Sequence, residues 1–302
     1  MAECGVIQLR RLDIGICSFL DAAKLSRAVD AIKQHSVTDW RLLIVDNSPE
    51  DSETRPLIEG LAAGNSRITA RFMSENVGYA GAVNEIGAWA ESENWAYLDH
   101  DAYVQTRGWD EKLASYLDRF HEIGMIFPGS GAYPIPRGAY SECMWTPGFC
   151  WMVSRLCYAD MKADGRTAKG EFFDPMLGYQ EEADAALRVR LAGYKCAGAP
   201  EVHVTHDATA TSNPANQERI SRGVVNWVNK WCAYFGGKHL NYHSTNVIRW
   251  EDWNALYLEE FWKQFPSLQG LNDNPEVVML NGAEYDLIRV PRLKGFYRGR
   301  IY

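Results

Sequence analysis

Three residues in the stretch Trp95-Ala96-Tyr97-Leu98-Asp99-His100-Asp101-Ala102-Tyr103-Val104 have types that can do chemistry. Asp99 and Asp101 stand one residue apart at the end of an apolar run. On a strand they share a face and His100 takes the other, because strand side chains repeat every two residues. Two converging carboxylates make a hard oxygen site that suits Mg²⁺ or Mn²⁺, and the cation in turn suits a diphosphate. The bland alternative is a solvated strand end leading into a turn. A second acidic group, Glu181-Glu182-Ala183-Asp184, opens an apolar run that closes with Arg188, Arg190 and Gly193. Early acids, late cations and a glycine stop describe a helix, whose dipole alone would favour those acids. The strand 195–204 runs on to His206, at a position where an imidazole could ligate a metal or serve as a polar group of the fold.

The elements that must hold these groups follow from periodicity. Residues 12–19 alternate as a strand. Ala22, Leu25, Ala28, Val29 and Ile32 have helical spacing behind Asp21, a suitable N-cap. Arg41-Leu42-Leu43-Ile44-Val45 reads as a buried parallel strand that ends at the turn Asp46-Asn47-Ser48-Pro49. A helix over 53–63, a strand over 68–73, a loop from Ser74 and a helix over 82–91 precede the central stretch. Strand and helix alternating in this way predict an α/β layer with a mostly parallel sheet, whose ligands sit at the carboxyl ends of the strands. Ser18, Asp46, Asn76 and Asp99 all fall on that edge. Further on, 109–120 reads as a helix, 123–127 as a strand, 128–138 as a loop, and 145–153 as a turn and a strand.

Composition narrows the classes. At 302 residues the chain can bury a substantial core, and 46% hydrophobic residues is an ordinary globular value. A net charge of −8 opposes a general electrostatic hold on nucleic acid or anionic lipid. No run is apolar enough to span a membrane, and the first residues do not read as a secretory signal. Seven scattered cysteines without a C-x-x-C pair read as reduced thiols, so the expected location is cytoplasmic. After about residue 215 the texture changes. Residues 217–235 and 251–265 look helical and carry Trp227, Trp231, Trp253 and Trp262. Arg289, Arg292, Lys294, Arg298 and Arg300 lie among aromatics near the end.

Five pieces in order carry a resemblance: Ile16-Cys17-Ser18-Phe19, Val45-Asp46-Asn47-Ser48, Glu75-Asn76-Val77-Gly78-Tyr79-Ala80-Gly81-Ala82-Val83-Asn84, Leu98-Asp99-His100-Asp101, and Gln180-Glu181-Glu182-Ala183-Asp184. Together they resemble the family 2 glycosyltransferases of the GT-A fold, and the rhamnosyl- and galactofuranosyl-transferase branch in particular, over about 12–212. The resemblance implies a Rossmann-like catalytic domain over 1–212. A helical, aromatic-rich extension over 213–302 would contact the acceptor or a second subunit. It further implies that Ser18, Asp46, Asn76, Gly78, Gly81 and Asp99 hold the nucleotide-sugar donor. Asp101, His206 and Asp99 would hold Mn²⁺ or Mg²⁺, and Glu182 would be the general base. Glu181, Asp184 and Trp151 are expected at the acceptor. The implied reaction is metal-dependent and inverting, with a UDP-sugar as donor or, next, a dTDP-sugar. The implied acceptor is a glycan, a lipid-linked saccharide or, with least support, a modified base in DNA. Leu20, Ser18, Glu182 and Pro147 depart from the family pattern. Two other classes stay open, a nucleotidyltransferase and a non-catalytic sugar-nucleotide binder. The first lacks a Gly-rich phosphate loop after strand 1, and the second would tolerate loss of Glu182.

Overall fold

The computed structural model describes residues 10–129, 135–143 and 146–207, seven helical residues between 219 and 231, and the backbone of three strands between 278 and 298. The chain runs β1 (Arg11–Ser18), α1 (Ala22–His35), β2 (Asp39–Asp46), α2 (Thr54–Gly64), β3 (Ile68–Phe72), α3 (Gly78–Trp89), β4 (Asn94–Asp99) and β5 (Ala102–Val104). It continues through α4 (Trp109–Arg119), β6 (Ile123–Pro128), β7 (Ile135–Pro136), β8 (Ser141–Cys143), β9 (Cys150–Ser154), α5 (Arg155–Ala163), α6 (Glu181–Leu191), β10 (Lys195–Ala199) and β11 (Val204–His206).

One nine-stranded sheet has the order β3-β2-β1-β4-β9-β6-β10-β8-β7. The pairs β1–β2, β2–β3, β1–β4 and β6–β10 are parallel. β9 runs antiparallel between β4 and β6. The sheet is buried on both faces, which is why β2 reads as a continuous apolar run. Leu42 and Ile44 join one core with α1, α2 and α4 residues such as Leu25, Ile58 and Leu113. Leu43 and Val45 join the other with Val83, Ile86, Cys157 and Val189 from α3, α5 and α6. Helices cover both faces as expected, and Asp21 does cap α1, its carboxylate accepting from Lys24 N at 2.9 Å.

Two differences bear on function. The stretch 95–104 is not one strand. It breaks at a His100-Asp101 turn, and β5 leaves the main sheet to pair with β11. In the extension, Arg219, Arg222, Gly223, Asn226, Trp227, Lys230 and Trp231 are helical, as expected. The strands β12 (Val278–Leu280), β13 (Ala283–Val290) and β14 (Leu293–Arg298) form an antiparallel sheet where a helical extension was expected. Their β-branched and aromatic residues suit strands. The helix expected over 251–265 lies outside the described residues. Among the described residues no helix is long and apolar enough to cross a membrane.

Candidate active site

Four parallel strands deliver Ser18, Asp46, Phe72 and Asp99 to one edge of the sheet. Just past that edge, Asp99, Asp101 and His206 each turn one ligand atom inward, all within 4.8 Å of one another. His206 Nε2 is 3.3 Å from Asp101 Oδ1 and 3.8 Å from Asp99 Oδ2. The turn after β4 brings the two carboxylates together, in place of a strand's two-residue repeat. The β5–β11 ladder sets His206 opposite Ala102 and locks Asp207 N onto Asp101 O at 2.9 Å. The Phe149 ring stacks on His206 with centroids 4.4 Å apart, which fixes the imidazole plane.

The electrostatics suit a cation. Burial pushes Asp99 up to about 7, opposed by His206 and reinforced by Asp101. The Tyr97 hydroxyl donates to it, and the Tyr97 ring in turn packs on Tyr79 and Trp151 in an aromatic floor. Burial also works against ionisation of Asp101, but its hydrogen bond with His206 wins and holds its carboxyl below the usual range. Burial lowers the His206 imidazole less than Asp101 and Asp99 raise it. Two carboxylate oxygens and one imidazole nitrogen fit a small divalent cation.

Glu182 lies in the first turn of α6, behind Gln180, a left-handed N-cap at φ 72°. The geometry that matters is with Gly148. A Cβ there would fall 1.9 Å from Glu182 Oε1, so the carboxylate lies directly over a glycine that leaves it room. Tyr79 OH donates to Gly148 O at 2.9 Å and accepts from Trp151 Nε1 at 3.3 Å. The turn Gly148-Phe149 thus carries Glu182 on one residue and the His206 stack on the next. Burial pushes the Glu182 carboxyl up, against its own backbone N–H and Arg219. Burial, then the Glu182 charge, takes Glu181 to about 8.

Other expected site residues sit differently. Trp151 is fully buried in the aromatic floor, so it cannot line an acceptor wall. Asp184 is likewise fully buried, accepting from Lys230 Nζ at 2.9 Å and Trp231 Nε1 at 2.9 Å, and is a structural ion rather than an acceptor contact. Glu181 is only 6% exposed and offers an acceptor little. Asp46 is 2% exposed, and both its oxygens are engaged by the chain: Oδ1 by Ser48 Oγ at 2.7 Å, Oδ2 by Thr54 Oγ1 at 3.1 Å. Its observed work is to shape the strand end. Ser18 Oγ is buried without a partner. Asn76 Oδ1 accepts from Gly78 N at 2.8 Å, a turn that sets Gly78 at φ 71°, where glycine is favoured. Gly81 is needed for another reason, since a Cβ would press on Val77 at 2.7 Å.

The sequence reading missed a cleft of about 520 Å³ beyond β1, β2 and β3. Phe19, Asn47, Arg55, Phe72 and Asn76 help line it, and the Arg55 guanidinium lies 4.2 Å over the Phe72 ring. Arg55 in the first turn of α2 and Phe72 at the end of β3 could have been suspected from their place on the ligand edge.

Residues 13–145 match the family model described as glycosyl transferase family 2. No curated protein matches the chain. Among solved structures, the chain is similar to the mannosyltransferase PcManGT from Pyrobaculum calidifontis in complex with GDP-Man and Mn²⁺. That likeness has a TM-score of 0.58 and 13% identity, over 86% of this chain and 75% of that one. It is also similar to GalNAc-T7 with UDP, GalNAc and Mn²⁺, with a TM-score of 0.59 and 15% identity, over 87% of this chain and 52% of that one. The fold is that of the GT-A glycosyltransferases. The family match and the fold together support a glycosyltransferase.

Proposed function

We propose that the protein is a metal-dependent, inverting glycosyltransferase that moves a sugar from a nucleotide-diphosphate donor to an acceptor hydroxyl. One observation carries the reading. The Glu182 carboxylate lies over Gly148, and His206 of the Asp99–Asp101–His206 cluster stacks on the next residue, Phe149. A proton acceptor beside an anionic metal site is what a displacement at a sugar diphosphate requires.

Each group has a role in that proposal. Asp101, His206 and Asp99 hold Mn²⁺ or Mg²⁺, and the imidazole in the set favours Mn²⁺. The bound cation supplies Lewis-acid neutralisation of the departing diphosphate. Glu182, lifted by burial, takes the proton of the attacking hydroxyl. Direct attack by that hydroxyl inverts the anomeric carbon and needs no covalent enzyme intermediate. The cleft lined by Phe19, Arg55, Phe72 and Asn76 takes the nucleoside; Gly78 and Gly81 follow Asn76 in the chain, and Ser18 is buried at the end of β1. Asp46 contributes by holding Ser48 and Thr54. A UDP-sugar is the proposed donor and a dTDP-sugar the next. The acceptor is a glycan or lipid-linked saccharide, the branch that of the rhamnosyl- and galactofuranosyl-transferases, and the location cytoplasmic.

A panel of nucleotide-sugars tests the reading, with release of nucleoside diphosphate followed in Mn²⁺ and in EDTA. The expected result is Mn²⁺-dependent release from one member, abolished in Glu182→Gln with nucleotide binding kept. Absence of binding and release across the whole panel contradicts it.

A further inference from the structure

The first turn of α6 is held by a part of the chain outside the 13–145 family match. Lys230 Nζ reaches Asp174 Oδ2 at 2.8 Å and Asp184 Oδ1 at 2.8 Å, so one ammonium ties the loop before α6 to its first turn. Trp231 Nε1 donates to the same Asp184 at 2.9 Å, and Arg188 lies 3.7 Å from it. Asn226 Nδ2 donates to both Met176 O and Leu177 O at 3.1 Å. Gly223 backs onto Tyr179 so closely that a Cβ would fall 2.3 Å from the Tyr179 Cβ. Arg219 lies over the Tyr179 ring, 5.7 Å from its centroid. The contacts at 219, 223, 226 and 230 have the spacing of one helical face, and Trp231 lies at its side. All of them bear on 174–184, the segment that carries Glu181 and Glu182.

That segment has local reasons to need an external hold. Gln180 occupies the left-handed region at φ 72° without capping α6 through its side chain, and its Nε2 is buried without a partner. Two neighbouring carboxylates, Glu181 and Glu182, repel each other within the same turn. Asp184 is fully buried, and such an ion is retained only where it is paired.

We infer that Lys230 is a positioning residue for the proposed reaction. By bridging Asp174 and Asp184 it fixes the first turn of α6, so that Glu182 stays over Gly148 beside the donor. The inference rests on the reading of Glu182 as the base. Lys230 touches none of the Asp99–Asp101–His206 cluster in the hydrogen bonds and ion pairs described, so it acts on proton transfer and leaves donor binding alone.

The test uses the full chain with Lys230→Met, Lys230→Arg and Glu182→Gln. It follows Mn²⁺-dependent diphosphate release from the donor the panel identifies, nucleoside diphosphate affinity in Mn²⁺, and near-ultraviolet circular dichroism at the assay temperature. Expected is a fall in kcat of at least about tenfold in Lys230→Met, consistent with a displacement of catalytic geometry. Nucleotide affinity stays within about twofold, and Lys230→Arg recovers most of the rate by keeping a charge that can bridge both carboxylates. Wild-type kcat in Lys230→Met overturns the inference, as does a loss of nucleotide affinity in step with kcat. If Lys230→Met does not fold, Lys230→Arg and Asp174→Asn decide: unchanged kcat in Asp174→Asn overturns it, and a kcat loss with affinity kept supports it. Wild-type turnover in Glu182→Gln removes the base assignment, and the inference with it. No release by the wild type removes the transferase reading itself.

Discussion

Replacing Gly148 with alanine displaces the proposed base without removing any polar group. The new Cβ would lie 1.9 Å from Glu182 Oε1, 2.8 Å from its Cδ and 3.0 Å from its Cγ. A normal contact is about 3.5 Å, so the carboxylate oxygen must retreat by more than about 1 Å. A misplacement of that size costs about a hundredfold in rate, or about 2.7 kcal/mol of barrier. The fold loses little, because the atom displaced is the far end of a flexible side chain and Gly148 is not in the left-handed region. Relief from backbone entropy offsets part of the strain, by about 0.4–1 kcal/mol. The assay is single-turnover release of nucleoside diphosphate at saturating Mn²⁺, with urea unfolding and nucleotide affinity measured beside it. Gly148→Ala should lose about 10²-fold in turnover, with stability and affinity near wild type. Adding Glu182→Asp, one methylene shorter, should recover part of the loss. Full turnover in Gly148→Ala would show that Glu182 does not act from its seat over Gly148. A parallel loss of nucleotide affinity would mean instead that the turn acts through Phe149 and His206.

Three further outcomes follow from buried groups and backbone. Glu181 is held up to about 8 by burial and by Glu182. Between the ordinary glutamate value near 4.3 and that value, the folded state keeps a proton that the unfolded chain has released. Stability therefore falls as pH rises across the window, and Glu181→Gln should flatten urea-unfolding stability between pH 5 and 8; an unchanged slope counts against it. Asp13 has the opposite sign. Burial opposes its charge, but bonds from Arg41 at 2.8 and 2.9 Å and from the Glu91 and Ser92 amides lower its pKa. The stability it contributes is present above the ordinary aspartate range and is lost as pH falls through its depressed value. Asp13→Asn should cost about 2–4 kcal/mol at pH 7 and lessen the acid sensitivity, as read by thermal unfolding at pH 3 and 7. Leu20 is 53% exposed at φ 62°, a conformation asparagine tolerates better. Leu20→Asn should gain about 0.5–1 kcal/mol in urea unfolding.

What the residues disclosed, and what they hid, has a physical pattern. Strand ends were legible because β1, β2 and β4 are buried on both faces and stop at polar residues on one edge. The Asp99–Asp101 pair is legible as a candidate metal site, but its geometry is not. D-x-D is compatible with both a strand and a turn, and the β5–β11 pairing that decides between them joins residues about a hundred positions apart. Asp184 looked like an acceptor ligand because an acid in a first helical turn reads the same whether solvated or paired. Its partner Lys230 lies 46 residues further on. Trp151 was similarly ambiguous until the antiparallel insertion of β9 between β4 and β6 put it in the core. The same insertion lays Gly148 under Glu182, a contact that no local pattern encodes.

The proposed function depends on Asp99, Asp101 and His206 forming the metal centre of a donor site. Electron paramagnetic titration of Mn²⁺ into the wild type, Asp101→Asn and His206→Ala, with and without UDP, tests it most directly. One Mn²⁺ per chain is expected, bound more tightly when the diphosphate is present. Each substitution should weaken that affinity by more than about 10–100-fold, the usual cost of losing only an outer-shell partner of a ligand. Equal Mn²⁺ affinity in all three proteins, or affinity indifferent to the diphosphate, would contradict it.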